Sequence, residues 1–349
     1  MVNLTRRAFG IGAASVALGA LSARMAAAQD VTIVVNGSGG SLAEVLKKLF
    51  EDPFTEQTGI KVRATAPVSL PKLKAMVESG NVEWDLTELN GDDVVLATKE
   101  GWLEEIDYSI VDPENELPEM AKLPTAMVRA SYSTVLGFRT DRFPEDKQPK
   151  TWADFWDVEN FPGPRSLENS PKCNLEFALL ADGVPLDELY PLDVDRAFAK
   201  LDEIKDHIPV WWDNGAQHVQ LLVDGEVNMT SCWNGRITPL KSEGRPVEIS
   251  WAGGALLLSY LGIPKGAKHP TEAMQFMKFR MDPVASAEFV KVMPYPGFVP
   301  GMMELLEPEF VATLPTAAEN AEQQFAFNSS WWAENLEEVQ NRWNEWLLI

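Results

Sequence analysis

The chain has 349 residues, of which 30 are basic and 52 acidic, so its formal net charge is −22. A surface this acidic repels nucleic acid and anionic membranes, so we expect neither as a partner. A chain of this length exceeds what one hydrophobic core usually organises, and we therefore expect two lobes.

The first 28 residues have the pattern of an export signal. Arg6 and Arg7 precede an apolar run over residues 11–21, and a run of alanines ending at Ala28 matches the small-residue cleavage pattern. The paired arginines favour the twin-arginine export route, and the apolar run is too short and too rich in glycine to span a membrane well. We therefore expect a signal peptide over residues 1–28, cleaved near Ala28, and a periplasmic protein without membrane insertion.

Short β-branched runs alternate with helical patterns along the rest of the chain, which is typical of an α/β fold. Strands are predicted over residues 31–35, 60–65, 86–89, 134–139, 247–250 and 256–263. Helices are predicted over residues 41–58, 71–79, 92–100, 152–158, 175–181, 193–205, 216–223, 271–279 and 283–292.

A glycine-rich turn follows the first predicted strand. The dinucleotide-binding fingerprint needs a third glycine three residues after Gly39, and this sequence lacks it. A helix that starts near Ser41 still presents free backbone N–H groups and the positive end of its dipole. We therefore take Asn36, Ser38, Gly39 and Ser41 as candidate ligand contacts, with a plain glycine turn as the alternative.

The C-terminal segment WWAENLEEVQNRWNEW predicts an amphipathic helix with an aromatic face. Its acidic residues argue against a membrane segment, so we expect this helix to dock on a lobe. The residues on the docking face are Trp332, Leu336, Val339, Trp343 and Trp346.

No catalytic or metal-binding pattern stands out in the sequence. The three histidines, His207, His218 and His269, share no metal-ligand spacing, and the chain has no nucleophile elbow and no Walker loop. We therefore predict no catalytic residue, no metal and no cofactor. An exported enzyme is the alternative of a different class.

Two cysteines, Cys173 and Cys232, would reach an oxidising compartment. They either form one disulfide or stay as two buried thiols, and the oxidising environment slightly favours the disulfide.

Seven stretches together resemble the periplasmic solute-binding proteins of ABC importers, in particular the spermidine/putrescine-binding group. In chain order they are FTEQTGIKVRAT (54–65), MVESGNVEWDLTEL (76–89), KEGWLEEIDYS (99–109), YSTVLGFRTDRFP (132–144), KTWADFWD (150–157), LLVDGEVNMTSCWNGR (221–236) and LGIPKGAKHPTEAMQFMKFRMDP (261–283).

This resemblance implies the two-lobed periplasmic-binding-protein fold of type II, which closes on a ligand in the cleft between the lobes. It implies an N-terminal lobe of residues 30–137 plus 261–300 and a C-terminal lobe of residues 140–259 plus 304–349. The partners it implies are a small-molecule solute and the transmembrane subunits of an ABC permease, and we expect a monomer.

The resemblance also assigns the cleft. Trp233 lies where the polyamine-binding group has a cleft tryptophan, but Ser170 and Cys173 replace acids of that group, and Leu257 and Ser259 replace a Trp and an Asp. A buried ammonium without a carboxylate partner is strongly disfavoured, which argues against a polyamine. A shift of the alignment by one residue would return a glutamate to the cleft, so a polyamine or other amine stays the alternative.

Arg236 follows Trp233 by three residues, on a turn that the resemblance places in the cleft. A guanidinium there can hold a carboxylate in bidentate fashion, so an organic acid is the first hypothesis for the solute. A salt bridge to a surface acid is an equal alternative for Arg236, and Arg129 is a weaker second candidate. The remaining candidates are Asn90, Tyr132, Ser133, Trp212, Asn214 and Gln217, while Asp92 is either a cleft residue or a helix cap.

Overall fold

The computed structural model describes residues 31–348, so the predicted signal peptide lies outside the described residues. Nine strands of this part form one mixed sheet in the order β2-β1-β3-β8-β4-β7-β5-β6, with β9 paired to β8. The strands are β1 Thr32–Asn36, β2 Lys61–Thr65, β3 Leu86–Asn90, β4 Ala126–Arg139, β5 Arg165–Glu168, β6 Val210–Trp212, β7 Met229–Trp233, β8 Val247–Gly262 and β9 Phe325–Ala326.

Helices cover both faces of this sheet, as expected for an α/β fold. The first two helices are joined without a break by a π-helical segment, Lys47–Glu51. The helices are α1 Gly40–Leu46, α2 Asp52–Thr58, α3 Leu70–Ser79, α4 Gly91–Lys99, α5 Tyr108–Val111, α6 Trp152–Trp156, α7 Asn174–Ala181, α8 Val194–Ile204, α9 Gln217–Val223, α10 Asn234–Ser242, α11 Pro270–Phe279, α12 Pro283–Val292, α13 Pro308–Val311, α14 Ala318–Ala321 and α15 Ser329–Leu348.

The two long strands, β4 and β8, run antiparallel through the middle of the sheet. Their pairing extends from Ala126 opposite Gly262 to Arg139 opposite Val247. The register shifts twice, between Val128 and Ala130 and between Thr134 and Leu136. The two strands are therefore paired along their length, with two local irregularities near the middle.

The buried apolar side chains of the described residues form four clusters, which we group into two cores, one on either side of these irregular points. The first core combines the cluster of Met127 with a cluster around β3, and the second combines the cluster of Leu136 with a cluster around β7. Leu314 packs in the first core and Phe325 in the second, so the packing favours a passage of the chain between the cores after residue 314, later than the lobe limit at residues 300–304 that the resemblance implies. The predicted limits of the two lobes stay a prediction.

The helix α15 packs its aromatic face on the second core. Trp343 and Trp346 lie edge-on to Trp211, with ring centroids 5.3 and 5.6 Å away. Trp332 and Val339 are buried on the same face. The predicted docking of this helix is confirmed. Among the helices of residues 31–348, none combines the length and the apolarity needed to cross a membrane.

The predicted strands and helices are present. The list of predicted strands does not include β5, β6, β7 or the first half of β4. Except for the short, apolar β6, these strands contain buried polar side chains that mask the apolar pattern. Arg165 of β5 is fully buried and donates to the carbonyl of Phe155 at 2.6 Å. Ser166 and Thr230 pair their hydroxyls across β5 and β7 at 2.7 Å.

Candidate functional site

A cavity of about 450 Å³ opens between the two cores, beside the middle of β4 and β8. This volume is in the range of small-molecule sites. Residues of both cores and of α15 line it, and we call it the central cavity. Its charged lining residues, among those described, are Glu88, Asp92, Arg129, Glu168, Lys172 and Arg236.

One side of the central cavity is organised around Arg129 of β4. Its Nε donates to Ser259 Oγ at 3.0 Å and lies 3.3 Å from Glu88 Oε1. Only 9% of the Arg129 side chain is exposed, and its Nη1 has no hydrogen-bond partner within residues 31–348. A buried guanidinium nitrogen without a partner is a donor available to a ligand.

Glu88 of β3 holds this arginine in place. The backbone N–H and the hydroxyl of Ser38 both donate to Glu88 Oε2, at 3.1 and 2.9 Å. Burial alone would raise the pKa of Glu88, but the charges of Arg129 and Arg280 together with the Ser38 bonds hold this pKa below its ordinary value. Glu88 is therefore an ionised anchor for Arg129.

Another part of the wall is built from Asp92 and Lys172. Asp92 lies in the first turn of α4 with 2% of its side chain exposed, and its Oδ2 forms a salt bridge with the ammonium of Lys172. Burial alone would lower the pKa of Lys172, but the charges of Asp92 and Asp93 raise it. In the described structure, Asp92 Oδ1 has no partner. This oxygen is an acceptor available to a ligand.

Two further acidic residues near this wall have raised pKa values. Burial, and then the charge of Asp92, raise the pKa of Asp93 to about 6. Burial likewise raises the pKa of Glu168 to about 7, against the opposing charge of Lys172. Within residues 31–348, no group of three or more His, Cys, Asp or Glu side chains is arranged to hold a metal ion.

An aromatic wall completes the cavity. Tyr132 lies edge-on to Trp233 and to Tyr295, with ring centroids 6.5 and 5.9 Å away. Burial raises the pKa of Tyr295 to about 12, against the charges of Arg236 and Arg129, so both tyrosines are neutral at physiological pH. Neutral rings of this kind suit an apolar or aliphatic part of a solute.

The structure brings half of the predicted ligand contacts together at the central cavity. They are Ser38, Asn90, Tyr132, Ser170, Trp233, Arg236 and Ser259. Their roles in ligand binding stay predictions. Ser41 lies in the first turn of α1, and its side chain is outside the described part of the structure.

The other predicted contacts lie away from this cavity and have structural partners instead. Asn36 is buried, and its amide donates to the carbonyl of Pro67 at 3.0 Å. Gly39, with φ of 73°, forms the turn before α1 and faces a separate small cavity. Ser133 is fully buried and donates to Gln324 Oε1 at 2.5 Å.

The predicted contacts of the 210–217 segment are also elsewhere. Trp212 is fully buried, and its Nε1 donates to Ser231 Oγ at 3.2 Å. Asn214 Oδ1 accepts the backbone N–H of Gln217 at 3.2 Å, and Gln217 Oε1 accepts that of Asp213 at 2.9 Å. These two amides stabilise the turn into α9, because each satisfies a backbone N–H near the start of the helix.

The favoured disulfide is not formed. Among the described residues, Cys173 and Cys232 are both free, buried thiols. Cys173 precedes α7 in the cavity wall, whereas Cys232 lies on β7 opposite Val135 with its sulfur packed over Gly137. The two side chains therefore occupy separate packing environments, and the alternative of two buried thiols is the one observed.

Comparison with known proteins places the chain in a family. A sequence profile of the bacterial extracellular solute-binding proteins matches residues 51–319. The chain belongs to this family. A gamma-aminobutyric acid-binding protein of Pseudomonas aeruginosa is 34% identical to this solute-binding protein over 337 residues, which is 93% of each chain. A spermidine/putrescine-binding periplasmic protein of Salmonella typhimurium is 26% identical over 269 residues, 74% of this chain and 76% of that protein.

Solved structures of the family share the fold. An ABC transporter substrate-binding protein from Bradyrhizobium japonicum is 37% identical, with a TM-score of 0.85 over 91% of this chain and 100% of that one. A GABA receptor is 36% identical, with a TM-score of 0.83 over 90% of this chain and 97% of that one. The resemblance to periplasmic solute-binding proteins and the two-lobed α/β class are therefore confirmed.

Sequence reasoning missed several cavity residues of this solute-binding protein. Glu88 lies inside a predicted strand, Lys172 in a loop between two candidates, and Tyr295 in a segment to which no role was given. One signal was available: Glu88 is the only acidic residue within the apolar strand LTELN, and an acid at such a position needs a partner.

Proposed function

We propose that this solute-binding protein captures a short amino acid that carries its ammonium and its carboxylate at opposite ends of an aliphatic chain, such as 4-aminobutanoate. One observation carries the proposal: within the described structure, two residues that line the same cavity, Arg129 and Asp92, each have a buried charged atom without a hydrogen-bond partner, Nη1 and Oδ1. A zwitterion satisfies both, whereas a simple acid or a simple amine satisfies one.

The Arg129 side of the cavity suits the carboxylate. Glu88 fixes the guanidinium through Nε, which leaves Nη1 for the ligand. Arg236 lines the same cavity and adds a second positive charge, and charge-assisted hydrogen bonds from a guanidinium to a carboxylate are among the stronger polar contacts in proteins. This assignment keeps the carboxylate of the organic-acid hypothesis.

The Asp92 side suits the ammonium, because its free oxygen is a buried anionic acceptor. Between the two ends, Tyr132, Trp233 and Leu257 offer apolar surface for methylene groups. Relatives named for gamma-aminobutyric acid support the proposal, and a relative named for spermidine/putrescine supports the amine alternative. The arginines disfavour a polyamine, since a ligand with only positive charges would lie beside them.

The proposal extends to the transport role. The protein is exported with residues 1–28 as a twin-arginine signal, acts in the periplasm as a monomer, closes its lobes on the solute and delivers it to the transmembrane subunits of an ABC permease. The family consists of binding proteins, which supports a carrier over an exported enzyme.

Isothermal titration calorimetry tests the ligand class with a matched set of four-carbon compounds: 4-aminobutanoate, butanoate, butylamine and putrescine. We expect 4-aminobutanoate to bind at least about tenfold more tightly than the other three, since each of them leaves one buried charge unpaired. Equal or tighter binding of butanoate, butylamine or putrescine would contradict the proposal.

Variants at Arg129 locate the carboxylate. Arg129→Gln removes the charge, and we expect at least about 30-fold weaker binding of 4-aminobutanoate. Arg129→Lys keeps a positive charge beside Glu88 but loses the bidentate geometry of the guanidinium, so the affinity of this variant for 4-aminobutanoate should be intermediate. The matched control is Arg63→Gln on the exposed edge strand β2, which should bind as the parent does. Circular dichroism confirms that each variant is folded.

A further inference from the structure

We propose that Lys172 is a specificity-determining residue: its ammonium occupies one oxygen of Asp92 and thereby excludes diamines and polyamines from the central cavity. This inference rests on the proposed function of the same cavity. In this inference, the ammonium of Lys172 takes the position that a second ammonium group of the ligand would otherwise take.

The position of Lys172 supports this role. It lies in the turn between β5 and α7, where its backbone N–H donates to Ser170 Oγ at 3.2 Å. Its side chain is 25% exposed and forms a salt bridge with Asp92 Oδ2, and both residues line the cavity. Asp92 therefore has one oxygen left, enough for one ammonium.

Within residues 31–348, the two other acidic residues of the cavity, Glu88 and Glu168, are poor acceptors for a ligand ammonium. Glu88 is already engaged by Arg129 and by two bonds from Ser38. Glu168 is ionised only in part near neutral pH, because burial raises its pKa to about 7. Among the charged residues that line the described cavity, Asp92 is thus the main anionic acceptor, and Lys172 neutralises it in part.

The pair also joins the two cores. Asp92 lies in the first turn of α4, whose Val94 and Ala97 pack in the first core, while Lys172 precedes Cys173 and Leu175 of the second core. The ammonium of Lys172, which occupies one oxygen of Asp92, therefore comes from the opposite side of the cavity. Replacing Lys172 by a neutral residue should remove one positive charge from the cavity, so that its net charge becomes more negative by one unit, without changing the Arg129 side.

The experiment compares putrescine with 4-aminobutanoate, which differ only in one terminal group. We expect Lys172→Gln to raise putrescine affinity at least about tenfold and to shift the putrescine-to-4-aminobutanoate affinity ratio by at least that factor. Lys172→Arg keeps the charge and should keep putrescine binding weak. The matched control is Lys291→Gln, an exposed lysine on α12 remote from the cavity lining.

A second substitution shows where the gain arises. Asp92→Asn added to Lys172→Gln should abolish the gained putrescine binding, because it removes the acceptor. An unchanged affinity ratio in Lys172→Gln, or a gain that survives Asp92→Asn, would overturn the inference. If the parent protein does not prefer 4-aminobutanoate to butanoate or butylamine, the proposed function fails separately, and a putrescine gain in Lys172→Gln would still support the role of Lys172.

Discussion

Trp332 donates a hydrogen bond from its indole Nε1 to Glu176 Oε1 over 2.7 Å, although the two residues are 156 positions apart in the chain. The same oxygen accepts the hydroxyl of Tyr190 at 2.6 Å, and Glu176 is fully buried. This carboxyl group joins α15 to α7, the helix that directly follows the cavity-lining residue Cys173. The C-terminal helix is thus fixed to the cavity wall by a polar contact as well as by its aromatic face.

Glu176 should make the stability depend on pH. Burial raises its pKa to about 7, from an ordinary value of 4.5, so between these pH values the folded protein holds a proton that the unfolded chain releases. The contribution of Glu176 to the free energy of unfolding should therefore fall as pH rises from 4.5 to 7, by up to about 3 kcal/mol, and then level off. Urea denaturation at pH 5, 6, 7 and 8 measures this decline.

Glu176→Gln tests the assignment, because a neutral amide oxygen can still accept from Trp332 and Tyr190. We expect the Glu176 part of the decline to disappear in this variant. A decline of similar size and the same sign should remain, since burial also raises the pKa of Glu168 to about 7. Glu337→Gln, on the exposed face of α15, is the control. An identical pH profile in Glu176→Gln and the parent would contradict the prediction.

Trp343 should contribute strongly to folding stability. It is fully buried, and its ring lies 5.3 Å from Trp211 and 5.1 Å from Trp346. We expect Trp343→Ala to lower the free energy of unfolding by about 3–5 kcal/mol, because it leaves a cavity in the aromatic cluster. Urea denaturation measures the loss, with exposed Glu345→Ala as the control. A loss below about 1 kcal/mol would mean that α15 is only loosely docked.

Gly215 should control the position of the cavity tryptophan. A Cβ at this residue would lie 2.5 Å from Trp233 Cζ3, closer than carbon atoms can approach. In Gly215→Ala the indole must move, and we expect at least about tenfold weaker binding of 4-aminobutanoate. Calorimetry measures the affinity, and the neighbouring exposed Ala216→Ser serves as the control. Parent-like affinity in Gly215→Ala would show that Trp233 does not contact the solute.

The two cysteines should behave as shielded thiols. Burial raises the pKa of both Cys173 and Cys232, so each stays protonated and inaccessible in the folded protein. Ellman's reagent should detect no thiol in the native protein within minutes, and two thiols per chain in denaturant without reductant. Detection of no thiol in denaturant would instead reveal a disulfide.

Much of the fold could be predicted from local sequence. The docking face of α15 follows from apolar spacing, and the turn before α1 follows from its glycines. Strands with buried polar side chains could not be recognised in this way. Arg165 is satisfied by the carbonyl groups of Phe155 in α6 and of Gly163 in the loop that follows, and that compensation is visible only in three dimensions.

The cavity was harder to predict, because sheet register decides which side chains face it. Trp212 and Trp233 both end strands, yet Trp212 is fully buried and Trp233 lines the cavity. The pairing of Asp92 with Lys172 joins residues that are 80 positions apart, so no local pattern could indicate it. Trp233 and Arg236 were found because the family resemblance supplied the missing spatial information.

The continuous pairing of β4 with β8 makes the two halves of this molecule dependent on each other for folding. A fragment of residues 140–262 would lack β4 and would leave one edge of β7 open, since β7 pairs with β4 on that side. An open, apolar strand edge is a template for aggregation. We therefore expect that neither half can be replaced separately by the corresponding half of a relative. New ligand specificities are expected to arise by point substitutions around the cavity.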